Sequence, residues 1–173
     1  VRMVLVGGVP GAGKSTLLRR YAGRPGTLVL DPDTLRERLA WRPLVHLAHQ
    51  LLVWAVTLAG PRLGRTVLIH DTATRPRRRE ALLGLARRRG WDVSLLLVEV
   101  SRATALTGQL ERGRLAPAHA FERHWRRWLG LRDGAQRVAV PPLVVTRSNA
   151  PAVLDGLVRS GPEQRDDRLA QAG

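Results

Sequence analysis

The stretch GGVPGAGKST, Gly7 to Thr16, follows directly on the apolar run VRMVLV and contains Lys14, the only lysine in a chain with 28 arginines. Within it, Gly8 to Ser15 reads GxxxxGKS, and it lies between a predicted strand and a predicted helix, where a phosphate-binding loop belongs. Glycines let successive backbone N–H groups curl round a phosphate, and the positive end of the following helix faces the same point. In such a loop the lysine reaches the β- and γ-phosphates and the serine hydroxyl holds magnesium. We therefore expect Gly8, Pro10, Gly11, Ala12, Gly13, Lys14, Ser15 and Thr16 to bind ATP with Mg2+. A composition that uses arginine everywhere else keeps lysine where a compact ammonium fits and a planar guanidinium would crowd the loop.

Outward from this loop, near-continuous apolar runs recur at 3–7, 27–31, 66–71, 92–100 and 142–146. Helix-like stretches separate them, at roughly 14–23, 33–40, 43–60, 76–90, 102–113 and 118–132. Strands apolar on both faces and alternating with helices predict a five-stranded parallel sheet in an α/β sandwich. The length suits one domain, expected over residues 1–159. The polar segment 160–173 has little to bury and reads as a flexible tail.

The acids and arginines that follow the loop decide what it could do. The second strand ends in LDPDTLRERL, which brings Asp31, Asp33 and Arg36 to the C-terminal edge of the sheet, where ligands of such folds bind. Asp33 there can take the proton of an attacking hydroxyl, and Arg36, one helical turn on, can hold a phosphate. Asp31 reads first as a cap or turn residue. The third strand ends in TVLIHDTATR: Asp71 can hold magnesium through water, as can Asp31, or can orient an acceptor, with Thr72 and Arg75 beside it. His70 reads as a local packing or hydrogen-bonding residue. The run RPRRRE, 75–80, places cations at a helix start, which is unfavourable to the dipole; its default reading is a solvated face.

Together, GxPGxGKST, DxxR from Asp33 to Arg36 and the Asp71-Thr72 pair resemble the kinase domain of polynucleotide 5′-hydroxyl kinases and their small P-loop kinase relatives, including the zeta-toxin-like kinases. The resemblance covers roughly residues 3–146. It implies a P-loop NTPase three-layer sandwich with a Walker A loop and a small helical lid. It also implies transfer of the ATP γ-phosphate to a hydroxyl, with Lys14 on the ATP phosphates, Asp33 as base, Arg36 near the transferred or acceptor phosphate and Asp71 on the acceptor side. Arg112 and Arg114, in TGQLERGRLAP, would be the lid arginines. The pattern departs from the family at Arg112-Gly113-Arg114 and at Ala73, where the DTN version carries Asn. The leading acceptor is a polynucleotide 5′-hydroxyl, and the alternatives are a small molecule such as a nucleoside, sugar or antibiotic, or a regulatory ATP-binding module without kinase activity.

Composition bounds the remaining classes. The net charge of +15 suits a polyanion partner or a solvated arginine-rich surface equally. There is no cysteine, which excludes disulfides and thiolate metal sites and fits a reducing cytoplasm. No HExxH or GxSxG stands in the chain, and no NKxD-type guanine motif is available without a second lysine. We read no signal peptide at Val1. The apolar segment 44–59 would span roughly 24 Å as a helix, short of a roughly 30 Å hydrocarbon core, and His46, His49 and Gln50 interrupt it. It is expected to be a buried helix, with a homodimer face as the alternative, and no membrane association is expected. In FERHWRRWLGLR, 121–132, the helical spacing of Phe121, Trp125, Trp128 and Leu129 predicts a core face with arginines opposite.

Overall fold

Met3 and Leu5 point to one side of the first strand and Val4 and Val6 to the other, and all four are fully or almost fully buried. A strand apolar on both faces needs cover on both, and helices supply it. The structure is a computed structural model and describes residues 1–36, 41–111, 113, 117–134 and 138–159. Five strands, β1 (Arg2–Gly7), β2 (Thr27–Leu30), β3 (Thr66–His70), β4 (Asp92–Glu99) and β5 (Pro142–Thr146), form one sheet in the order β2-β3-β1-β4-β5. Every pairing is parallel. The register sets Val4 beside Leu68 and Leu5 beside both Ile69 and Leu95.

The helices are α1 (Lys14–Arg19), α2 (Pro32–Arg36), α3 (Arg42–Ala59), α4 (Pro76–Arg88), α5 (Arg102–Leu110), α6 (Ala118–Arg132) and α7 (Ala150–Arg159). On one face of the sheet Val4, Val6 and Leu96 pack with Leu18 and Tyr21 from the α1 region, Phe121 and Trp128 from α6 and Leu154 from α7. On the other, Met3, Leu5 and Ile69 pack with Val53 and Val56 of α3 and Leu82 and Leu83 of α4. The result is the expected three-layer α/β sandwich, with a small helical region formed by α5 and α6.

Three features depart from the sequence expectations. First, α7 continues the chain beyond β5 as a seventh helix, tied down by Tyr21, whose hydroxyl donates to Pro151 O at 3.1 Å and to Asp155 Oδ1 at 2.9 Å. Second, α3 is buried on one face only. Val45, His49, Val53 and Thr57 are buried at helical spacing, whereas Leu47 and Leu51 are 54% and 61% exposed, because an apolar residue on the outer side of the last layer has no further layer to meet. The segment Pro43–Leu63 is long and apolar enough to cross a membrane by length and composition, but Val53 and Val56 commit it to the core. Third, the basic run at the start of α4 is not wholly solvated: Arg79 is 2% exposed. It shares the face of Leu82, Leu83 and Ala86, three, four and seven residues on, and that face is the core.

Trp128 is fully buried, Trp125 packs partly buried against the same cluster, and Arg123, Arg126 and Arg127 lie exposed on the opposite side, as the helical spacing implies.

Candidate functional site

The loop between β1 and α1 closes at Gly13, which caps α1 with φ 92°. Gly11 has φ 88°, and a Cβ built there would overlap the Ala105 carbonyl oxygen of α5. Only bare backbone fits this turn, so a phosphate can approach it closely. Lys14 is buried, and its Nζ donates to Gly8 O at 2.8 Å and Val9 O at 3.0 Å, folded over the loop. Arg147, just after β5, braces the loop from outside: its guanidinium donates to Gly11 O at 2.5 Å and Ala12 O at 3.1 Å.

At the end of β2, Asp31 and Asp33 take different surroundings. Asp31 accepts from the Asp33 backbone N–H at 3.0 Å, the turn role read from sequence, and also from His70 Nδ1 at 2.7 Å. Burial pushes the Asp31 carboxyl up, but the His70 hydrogen bond and charge, the Asp33 amide and Ser15 outweigh it and bring the pKa down to about 2. Asp33 accepts from the Ser15 hydroxyl at 3.0 Å and meets Arg36 at 3.4 Å. His70 Nδ1 lies 3.4 Å from the same Ser15 oxygen. Ser15, Asp31, Asp33, His70 and Arg36 thus form one hydrogen-bonded group joining the phosphate loop to the ends of β2 and β3.

Asp71 follows β3, which pairs directly with β1. Its Oδ2 is held by Arg78 at 2.9 Å, and its Oδ1 accepts from the Ala73 N–H at 2.9 Å and from the Thr72 hydroxyl at 3.4 Å. Ala73 adopts φ 56°, a left-handed conformation that Asn tolerates better than most residues, so the backbone at this site is the one an Asn of the DTN type would favour. Buried Arg79 holds the loop by donating to Ala73 O at 2.7 Å. Thr74 bonds to Thr72 at 3.2 Å and to His124 Nδ1 of α6 at 2.8 Å. Burial, then the charges of Arg127, Arg75, Lys14 and Arg123, holds His124 below the ordinary imidazole range.

These groups line a cleft of about 480 Å³ that brings Pro10, Gly11, Gly13, Lys14 and Ser15 together with Asp33, Arg36, Asp71, Thr72 and Arg75. Gly8 bonds to Thr72 O beside it, and Asp31 stands behind His70. One wall is α3, which presents His46, His49 and Gln50, the residues that interrupt its apolar run. Burial also lowers the pKa of His49, whose Nε2 donates to Leu30 O at 3.2 Å. Across the phosphate loop, Ala12, Gly13, Thr16, Leu17, Arg20, Val98, Gly108, Arg147 and Pro151 line a second, smaller pocket of about 240 Å³. Arg112 and Arg114 lie outside the described residues. Among the described residues no set of three or more acids and histidines is placed to hold a metal alone.

Sequence reasoning missed Arg147, His124, Arg78 and the cleft-facing residues of α3. The polar breaks in the 44–59 run carried a signal for the last, since His46, His49 and Gln50 recur at helical spacing. Nothing local marks Arg147, which meets its partners from 135 and 136 residues away.

Comparison with solved structures returns the same fold. The Deinococcus radiodurans tunicamycin resistance protein matches with a TM-score of 0.59 at 16% identity, covering 90% of this chain and 92% of that one. A gluconokinase from Sinorhizobium meliloti 1021 matches with a TM-score of 0.53 at 16% identity, covering 91% and 94%. The Pnkp1/Rnl/Hen1 RNA repair complex matches with a TM-score of 0.63 at 18% identity, covering 77% of this chain but 45% of that one. Likeness of this degree establishes the α/β sandwich fold and does not single out the polynucleotide kinases. No curated protein matches the chain in sequence. Residues 3–135 match the model of the family described as an AAA domain, and over that greater part of its length the chain belongs to that family.

Proposed function

We propose that the chain is an ATP-dependent kinase that transfers the γ-phosphate to a hydroxyl of a small acceptor held between the phosphate loop and α3. The observation that carries this reading is the position of Asp33 in a cleft walled by α3. The carboxylate lies beside the magnesium-binding type of serine, and the space facing it has the volume of a small molecule. A polynucleotide 5′-hydroxyl, which the motifs favour, would need a longer groove past α3. Two of the three structural neighbours that we describe are named for a small sugar acid and for an antibiotic, and both are spanned almost end to end.

In this reading Lys14 leaves the Gly8 and Val9 carbonyls for the β- and γ-phosphates, and the nucleoside lies in the smaller pocket beside Thr16 and Arg147. Gly8, Pro10, Gly11, Ala12 and Gly13 supply backbone contacts to the phosphates. Ser15, with Asp31 or Asp71 through water, would hold magnesium, which would neutralise charge on the phosphates. Asp33 takes the acceptor's proton; the acceptor oxygen forms the new bond to phosphorus, and ADP departs with the electrons of the old one. Arg36, 3.4 Å from Asp33 Oδ1, orients that carboxylate, and Asp71, Thr72 and Arg75 face the acceptor. Arg112 and Arg114 are proposed to close over the transferred group. ATP as donor suits a cytoplasmic location.

We further place a second copy of the chain on the outer face of α3. Leu44, Leu47, Leu51 and Leu58 fall at a and d positions of a heptad, with half-buried Trp54 completing the stripe. Residues 43–60 carry no charged side chain, so two copies of a +15 chain meet there without opposed cations.

The deciding experiment incubates the protein with γ-labelled ATP and a panel of sugars, sugar acids, nucleosides and 5′-hydroxyl oligonucleotides. Label on a small molecule is expected. Label confined to oligonucleotides overturns the small-acceptor reading, and label on nothing, with ATP binding intact, overturns the kinase reading in favour of a regulatory ATP-binding module.

A further inference from the structure

A chain of hydrogen bonds runs from Asp71 through the turn after β3 to α6, and its direction is fixed. The Thr72 hydroxyl donates to Asp71 Oδ1 at 3.4 Å, and the Thr74 hydroxyl donates to the Thr72 oxygen at 3.2 Å. A hydroxyl has one proton to give, so Thr74, having given its own, can only accept from His124 Nδ1, 2.8 Å away. Nδ1 of His124 therefore carries the proton. Burial, and then the charges of Arg127, Arg75, Lys14 and Arg123, disfavour a second proton on the ring. In a neutral imidazole protonated at Nδ1, Nε2 is a lone-pair acceptor.

That acceptor is bonded to no part of the chain. Among the described residues, the side-chain atoms that are both buried and unpartnered are Arg36 Nε, Arg78 Nε and Trp128 Nε1. His124 Nε2 is not one of them, so it opens on free space, and His124 lines the cleft that holds Lys14, Asp33 and Asp71.

A group that completes Nε2 must bring a proton. A carboxylate or a fully ionised phosphate has none to bring. An ammonium has one, but it would enter the field of Arg127, Arg75, Lys14 and Arg123. A hydroxyl brings a proton without a charge.

Building on the kinase reading above, we propose that His124 Nε2 accepts from a second hydroxyl of the acceptor, distinct from the one that is phosphorylated, and so selects the substrate. The substrate class is then a polyhydroxy compound, a sugar or another polyol, rather than an alcohol with a single hydroxyl.

Two measurements test this. The first reads the ring itself, in long-range 1H–15N correlation spectra of the protein carrying 15N-labelled histidine, with His124 identified by its loss in His124→Asn. The neutral Nδ1–H tautomer is expected at neutral pH. An Nε2–H tautomer, or a charged ring, overturns the proposal whatever the activity. The second uses γ-labelled ATP and compares glucose, ribose and adenosine with each of their monodeoxy forms. For the parent that is phosphorylated, one form besides that lacking the phosphorylated hydroxyl is expected to fall about ten- to a hundredfold in kcat/KM, the span of one hydrogen bond left unmade. His124→Asn keeps an amide N–H for Thr74 and has nothing in the place of Nε2. It is expected to use the parent and that deoxy form alike, at the lower rate. No such fall, or one that persists in His124→Asn, overturns the second-hydroxyl contact while leaving the kinase reading intact. Transfer to none of the parents counts against the kinase reading and the substrate class together, and the spectra still decide the tautomer.

Discussion

The Ser15 hydroxyl donates to Asp33 Oδ2 at 3.0 Å, so the residue expected to hold magnesium and the residue expected to accept a proton occupy each other until a nucleotide arrives. This arrangement makes Asp33 a carboxylate whose chemistry is separable from ATP affinity. Asp33→Asn is expected to lower kcat by about 10²–10⁴-fold, the span of a positioned general base, while the ATP dissociation constant stays within about threefold. Single-turnover transfer and equilibrium nucleotide binding check the two halves independently. Loss of nucleotide affinity in proportion to kcat would show that Asp33 serves the donor instead.

Lys14 tests shape against charge. Its ammonium fits between the Gly8 and Val9 carbonyls, whereas a guanidinium is wider and planar. Lys14→Arg is therefore expected to lose about 10²–10³-fold in transfer despite keeping its charge, comparable to removing one transition-state donor. Near-normal kinetics of this variant would show that the chain's single lysine reflects composition alone.

Asp31 links the site to acid stability. Its folded-state pKa of about 2 lies below the unfolded value of 3.8. The contribution is therefore full above pH 4 and is lost as the pH falls through about 2, and it amounts to about 2 kcal/mol at most. In His70→Gln the uncompensated burial of Asp31 should move that loss to higher pH. Urea unfolding of wild type and variant between pH 2 and 5 reads the shift, and superimposable profiles would remove His70 from the explanation.

Arg79 holds the carbonyl of left-handed Ala73 from inside the core. Arg79→Met should destabilise the fold by about 2 kcal/mol, chiefly through the orphaned Ala73 carbonyl, with a smaller loss from the ion pair to Glu80. Denaturant unfolding measures it. A stability change within about 0.5 kcal/mol would mean that the aliphatic stem carries the packing and the charge is dispensable.

The α3 face predicts an oligomeric state. Replacing Leu47 and Leu51 together by Glu should leave the fold intact and convert a dimer to a monomer in sedimentation equilibrium. A wild-type chain that is monomeric at tens of micromolar, a range in which stable interfaces are formed, overturns the pairing.

How much of this could be read from the sequence depends on the distance over which each signal acts. The five strands are legible because each is a short apolar run bounded by turn residues, and Gly8 to Ser15 is legible because a phosphate loop is built from consecutive residues. Asp33 and Arg36 lie one helical turn apart and directly follow a strand, so their neighbourhood is also local. The outer face of α3 is not legible: a helix apolar nearly all round does not say which side the sheet will take. Arg79 was readable in principle from its spacing to Leu82, Leu83 and Ala86, but a run of arginines masks a single buried member. Arg78 meeting Asp71, and His124 meeting Thr74, depend on how α4 and α6 settle on the sheet, and no pattern within either helix encodes that.

The brace that Arg147 places on Gly11 and Ala12 also sets an order of events during synthesis. The phosphate loop is made before every later strand, yet β1 sits at the centre of the sheet and waits for β3 and β4, and its loop waits for a residue beyond β5. A nascent chain halted before residue 147 carries the whole GxxxxGKS pattern without the support that holds it in shape. Capture of nucleotide thus reports on a finished domain, and a ribosome-bound series of increasing length should gain it only once β5 and the turn after it have emerged.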